Sequence, residues 1–207
     1  MSNVSFYGGA AGEIAICNMA LRHLGAAEVL SLAQNTREAD LCLRAYPHAR
    51  QTLLGMHHWA FATRYLYLAS VAEPVTPSLN GPVQAGLATG FAHKYRIPVD
   101  CIAVQRLVPE SSFAVGEGGY VYTNAAPAQA AVTVCITDAT LYPPLFIDAL
   151  AYRLATSLAV ALVNSIRLEA VMAERFSAAF EAARLADAVQ GGHAPQTAEQ
   201  DPWLIAR

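Results

Sequence analysis

The stretch LYPPLFIDALAYRLATSLAVALV, Leu141 to Val163, decides how the chain is read. Pro143 and Pro144 lack a backbone N–H and would clash inside a helix, but they suit its first turn, where no intrahelical donor is needed. The residues that follow predict a long helix with scarcely any polar face. Its polarity comes from Asp148, Arg153, Thr156 and Ser157. Such a helix has to be covered on most sides, by its own fold, by neighbouring subunits or by lipid. Lipid fits poorly, because a spanning helix needs about 20 uninterrupted apolar residues and Asp148 and Arg153 fall well inside this one. No membrane partner is expected.

The rest of the composition agrees with cover by protein. Of 207 residues, 55% are hydrophobic and only 14% charged, and the mean hydropathy is +0.31. Ordinary globular chains carry about 25% charged residues. A chain of this length can bury roughly 70% of its unfolded surface without a metal or disulfide staple. The start, Met1 to Gly12, is polar and glycine-rich with no basic run, so no signal peptide is expected. The apolar excess is expected to lie against other subunits, as in obligate assemblies. Net charge is −3, and of thirteen cations all but Lys94 are arginines spread thinly along the chain. That spread argues against tight, direct nucleic-acid binding, which needs a clustered basic footprint. Cys17, Cys42, Cys101 and Cys135 are far apart in apolar settings and read as free thiols.

Periodicity predicts a first helix from Glu13 to Leu24, with Ile14, Cys17, Leu21 and Leu24 on one face and Gly25 as a left-handed cap. A second helix is expected near Asn35, where Asn35 and Glu38 have capping-box spacing. Its stripe is Cys42, Ala45, Tyr46, Ala49, Leu53 and Met56, with a kink or break at Pro47. The run His57 to Ala62 reads as an aromatic plug on these helices. From residue 73 to 93, prolines and glycines erase any period, and a long loop is expected. Strands follow over Cys101–Val108, and Phe113–Val115 pairs with Tyr120–Tyr122 through a glycine turn. Val132, Val134 and Ile136 alternate with polar or small residues, which predicts a half-buried strand. After the apolar helix, Ile166 to Ala188 predicts an amphipathic one. Its core stripe is Leu168, Val171, Met172, Phe176, Ala179 and Ala183, and Gly191-Gly192 ends it. The fold class is therefore α+β. Residues 10–66 and 141–189 are expected to form a discontinuous helical bundle and 67–140 a small antiparallel β insertion, and 190–207 a polar tail.

Chemistry is sparse. Six histidines include no His-x3-His pair, and His57 and His58 diverge on a helix. No Gly-x-Ser-x-Gly elbow is present. The run Gly116-Glu117-Gly118-Gly119 lacks the Lys-Ser/Thr of a phosphate loop. Asp148 and Arg153 are five residues apart, poor spacing for an intrahelical pair, and are expected to make orienting contacts to another helix or another subunit. No enzyme, metal site or cofactor is expected.

Four blocks, in order, carry a resemblance. The first is Ile16-Cys17-Asn18-Met19-Ala20-Leu21-Arg22-His23-Leu24-Gly25, followed by Ser31-Leu32. Then come Arg50-x-x-Leu53-Leu54 leading into His57-His58-Trp59-Ala60-Phe61-Ala62-x-Arg64, Tyr95-Arg96-Ile97-Pro98-Val99-Asp100-Cys101-Ile102, and Leu145 to Ala155. Together, over about residues 13–188, the chain resembles the tail tubular protein A, or head-to-tail adaptor, family of short-tailed bacteriophages. It departs at His58, where the family usually has proline, and in the stretch before Tyr95.

The resemblance implies a structural virion protein of the neck, assembled in the host cytoplasm. It would form a ring, expected to be a dodecamer, between the portal protein and the tail nozzle protein, and genomic DNA would pass through without sequence-specific binding. A net negative charge suits such a conduit. By the same analogy, Trp203, Leu204, Ile205 and Arg207 in the tail are candidate portal contacts. The alternative is a cytosolic α+β protein that binds or converts a small molecule.

Overall fold

The computed structural model describes residues 12–71, 91–116 and 118–190. It has the expected α+β class, with four α-helices and two antiparallel sheets among the described residues. The helices are α1 (Glu13–Leu24), α2 (Arg37–Gly55), α3 (Pro144–Val163) and α4 (Ile166–Gln190). The strands are β1 (Thr63–Tyr67), β2 (Ala69–Ser70), β3 (His93–Arg96), β4 (Cys101–Val108), β5 (Phe113–Gly116), β6 (Tyr120–Thr123) and β7 (Gln129–Val134). The chain divides into two compact units. Among the described residues, the helical unit comprises 12–53, 59–61 and 137–190, and the β unit comprises 54–58, 62–71, 91–116 and 118–136.

Local chemistry sets the helix limits. Gly25 takes φ +69, its N–H bonds to the Arg22 carbonyl, and the Ala26 N–H bonds to that of Leu21. This is a Schellman ending, which a β-carbon would strain. Pro143 and Pro144 open α3 as expected. Asn164, at φ 50, closes it, and the Ser165 hydroxyl then accepts from the Leu168 N–H at 3.2 Å to cap α4. The start of α2 differs from the expectation. Thr36, not Asn35, is the cap, its Oγ1 accepting from the Ala39 N–H at 3.3 Å. No break occurs at Pro47, and α2 runs through it as one helix.

In the helical unit α3 packs on α1 and on α4. The core stripe of α1 is Ile16, Cys17, Ala20, Leu21 and Leu24, while Ile14 is 38% exposed. That of α2 is Ala39, Cys42, Tyr46, Ala49 and Leu53, and Met56 lies exposed beyond the helix end. Of the aromatic run, Trp59 and Phe61 form a plug, and its ring contacts are with α3, α4 and Tyr142 rather than with α1 and α2. Trp59 stands edge-on to Phe146 and Phe180, and Phe61 edge-on to Tyr142 and Phe146.

In the β unit one sheet has the order β1-β7-β4 and the other β2-β3-β6-β5. The glycine-turn hairpin is β5–β6, with Gly118 and Gly119 at φ +75 and +72. Strand β7 was expected to alternate, yet every residue from Ala130 to Val134 is buried. Both faces of the sheet are therefore covered along this strand. Thr133 tolerates this because its hydroxyl and that of Thr63 accept from Gln105 Nε2 at 2.9 and 2.8 Å. Most of the expected loop 73–93 lies outside the described residues. Its last residue, His93, begins β3.

Candidate assembly surface

The apolar helix α3 is covered on part of its circumference. Phe146, Ala149, Leu150, Ala151, Leu154, Ala155, Leu158 and Ala159 are buried, but Leu145, Val160 and Val163 are exposed. By length and composition alone α3 could cross a membrane. Within the helical unit its buried residues pack on α1 and α4.

Helix α4 carries two apolar stripes. The first faces inward and contains Met172 and Ala183, both buried, with Leu168, Phe176, Ala179 and Phe180 half-buried. The second lies roughly 120° further round, at 100° per residue. It consists of Val171, Ala178, Ala182, Leu185 and Val189, at steps of seven, four, three and four residues, with Arg175 in the intervening position. All are exposed, Leu185 by 70% and Val189 by 78%. Those steps are the a/d spacing of a helix that packs against another helix along a seam. Glu174 and Glu181 flank it and are also exposed. Periodicity had put Val171 in the core stripe, but it belongs to this second one and is 40% exposed. Leu185 and Val189 were absent from the expected stripe.

Asp148 and Arg153 do not meet each other. Arg153 sits over the Phe176 ring of α4, 5.7 Å from its centroid, a favourable cation–π distance. Asp148 acts on His23 of α1, whose ring stacks on Tyr152 at 4.3 Å. Each therefore reaches a helix of its own unit. The tail candidates Trp203, Leu204, Ile205 and Arg207 lie outside the described residues. Near the end of α4, from which that tail departs, is a cavity of about 250 Å³ lined by Trp59, Pro143, Leu145, Ala183 and Asp187.

Burial chiefly, helped by Arg22, holds His23 below the ordinary histidine value, with Asp148 opposing. The sign follows. Between the folded value and the unfolded value of about 6.5, the unfolded chain binds more protons, so stability falls as pH drops through that window and levels off below it. His23→Gln is expected to flatten the fall in melting temperature between about pH 7.5 and 5. A profile that keeps the wild-type slope would overturn this assignment.

Other polar groups stay structural. Arg50, 7% exposed, pairs with Glu13 at 3.3 Å and lies over Tyr46, joining α2 to α1. An Arg37 N–H donates to the Ala161 carbonyl. The sequence separates Cys17 from Cys42, but the fold brings their thiols together. The neighbouring Cys42 and burial push the Cys17 thiol well up, so it stays protonated and unreactive. Among the described residues, no group of three or more His, Cys, Asp or Glu is placed to hold a metal ion. In the β unit a groove of about 670 Å³ is lined mainly by Ile97, Val99, Ile102, Val104 and Val115, and among the described residues its titratable lining is Arg96 and Cys101.

No family model matches the sequence, and no curated protein matches it.

Proposed function

We propose that this chain is a head-to-tail adaptor subunit of a short-tailed bacteriophage, one copy in a ring that joins the portal to the tail nozzle and encloses part of the DNA path. The observation that supports this reading is the exposed apolar seam of α4. A helix seam with a/d spacing and exposed Leu185 and Val189 is what a subunit leaves open for a neighbour. The low charge and the partly uncovered α3 extend the same preference to the helical unit as a whole. A ring requires a heterologous interface, in which one patch of each copy meets a different patch of the next. The α4 seam serves as one of those patches, and the tail residues Trp203, Leu204, Ile205 and Arg207 serve the portal. Asp148 and Arg153 act within the subunit, orienting α3 against its neighbours.

The small-molecule alternative has the groove of the β unit as its natural pocket. That groove offers few polar groups, whereas recognition of a ligand rests on several that converge.

The test is light scattering coupled to size-exclusion chromatography, with and without assembled portal rings, followed by negative-stain imaging of the mixture. The chain is expected to co-elute with portal and to add a ring of density on its tail side. Persistent monomer beside intact portal rings would remove the adaptor reading. A monomer in the absence of portal would not, because the portal acts as the template for the ring.

A further inference from the structure

The four-stranded sheet carries an outward face that the adaptor reading leaves unused. Along β3, Tyr95 is buried, so Lys94 and Arg96 point to the other side. Along β6, Val121 and Thr123 are buried, and Tyr120 and Tyr122 share that other side. The register sets Lys94 opposite Tyr122 and Arg96 opposite Tyr120. Two cations and two phenol rings thus form one cluster on the two central strands. Lys94 Nζ lies 4.2 Å from the Tyr120 ring centroid. The Arg96 guanidinium lies 5.8 Å from it and donates to the Tyr120 hydroxyl at 3.4 Å. None of the four strands contains an acidic residue. In a chain of net charge −3 this is a local concentration of positive charge among the described strand residues, and Lys94 is the chain's single lysine.

Glycine lets both rings lie close to the sheet. A β-carbon on Gly116 would fall 2.6 Å from Tyr122 Cε2, and one on Gly118 would fall 3.0 Å from Tyr120 Cε2. Tyr120 is then engaged by the two cations. Tyr122 meets no cation, ring or hydrogen-bond partner among the described residues, and its side chain is half-buried, with part of it left to solvent.

We propose that this face binds single-stranded nucleic acid, with a base stacked on Tyr122 and adjacent phosphates held by Lys94 and Arg96. Aromatic rings on the central strands of an open antiparallel sheet, interleaved with cations, suit splayed bases on a sugar-phosphate backbone. A paired duplex would offer Tyr122 no free base face. An acidic peptide would use the cations and leave the ring idle. Binding is weak and sequence-tolerant, because stacking accepts any base and only two phosphates are neutralised. It does not depend on ring formation.

Fluorescence anisotropy of a labelled twelve-nucleotide oligo-dT, titrated with the full chain at several salt concentrations, tests this. Saturable binding is expected, with log K falling against log salt at a slope of about 1.4 for two single-strand phosphates. Lys94→Gln with Arg96→Gln is expected to abolish most of that slope. Tyr122→Leu is expected to weaken binding about tenfold with the slope retained, and Tyr122→Phe to bind as wild type. Circular dichroism melts check that each variant is folded, and the Phe variant keeps the test open if the Leu variant unfolds. Four results would overturn the proposal: no saturable binding, binding indifferent to all these substitutions, tighter binding to the matching duplex, or equal binding to a polyglutamate peptide. The last would mark the face as a contact for an acidic protein.

Discussion

Trp59→Ala is expected to destabilise the helical unit by about 3–5 kcal/mol, the cost of removing a large buried aromatic and leaving a cavity. The indole is 1% exposed. It stands edge-to-face with Phe146 at 5.0 Å and with Phe180 at 6.0 Å, joining the start of α3 to the last turns of α4. Pairs of this geometry contribute about 0.5–1.5 kcal/mol each beyond area burial. Its Nε1–H also donates to the Leu53 carbonyl at 2.9 Å. Loss of that donor leaves the buried carbonyl unpaired, at a further cost of about 1–3 kcal/mol if water cannot reach it. Trp59→Phe keeps most of the ring contact and is expected to lose less than half as much. Urea unfolding followed by helical circular dichroism gives both values. A loss below about 1 kcal/mol for the alanine variant would mean that the plug repacks and does not hold the bundle together.

Leu185→Glu combined with Val189→Glu is expected to abolish assembly on portal rings without unfolding the subunit. Both side chains are largely exposed in the isolated chain, and surface substitutions of this kind usually change stability by less than about 0.5 kcal/mol. The effect in an assembly is different. Each copy would bring two carboxylates into an apolar seam beside Glu174 and Glu181, where desolvation and like-charge repulsion add. An unpaired charge left in such an interface costs about 3–5 kcal/mol, and the penalty recurs at every subunit contact of a ring. The control is Ser177→Glu with Arg184→Ala on the polar side of α4, which is expected to assemble as wild type. Assembly of the seam variant at wild-type efficiency would dissociate the seam from the subunit contact.

Much of the helical frame was legible before the structure, since its punctuation is local. Gly25 and the Pro143-Pro144 pair act through their own backbone chemistry, and the ends of α1 and the start of α3 fall where those residues put them. The β5–β6 hairpin was equally readable, because its glycines permit positive φ over a few residues. The misreadings have physical causes. Asn35 and Glu38 had capping-box spacing, but Thr36 is one residue nearer the helix and makes the bond. The β7 pattern predicted one wet face, and packing against residues distant in the chain buried both. On α4, two apolar stripes overlap in sequence, so periodicity alone could not separate Val171 from Met172.

The candidate surfaces divide in the same way. The exposed heptad of α4 was written in the sequence, yet only the packing of α3 shows which stripe is left open. The positive sheet face was hidden in a chain that looks depleted of basic clusters. Lys94 and Arg96 are two residues apart, and Tyr120 and Tyr122 lie across a strand pair from them. The sequence by itself determined the helices, the ends set by Gly25 and Pro143-Pro144, the hairpin and the need for cover along α3, because these follow from backbone constraints and hydrophobic period within a few residues. Only the tertiary structure decided which apolar stripe stays open and which polar groups meet, because burial and cross-strand register depend on residues far apart in the chain.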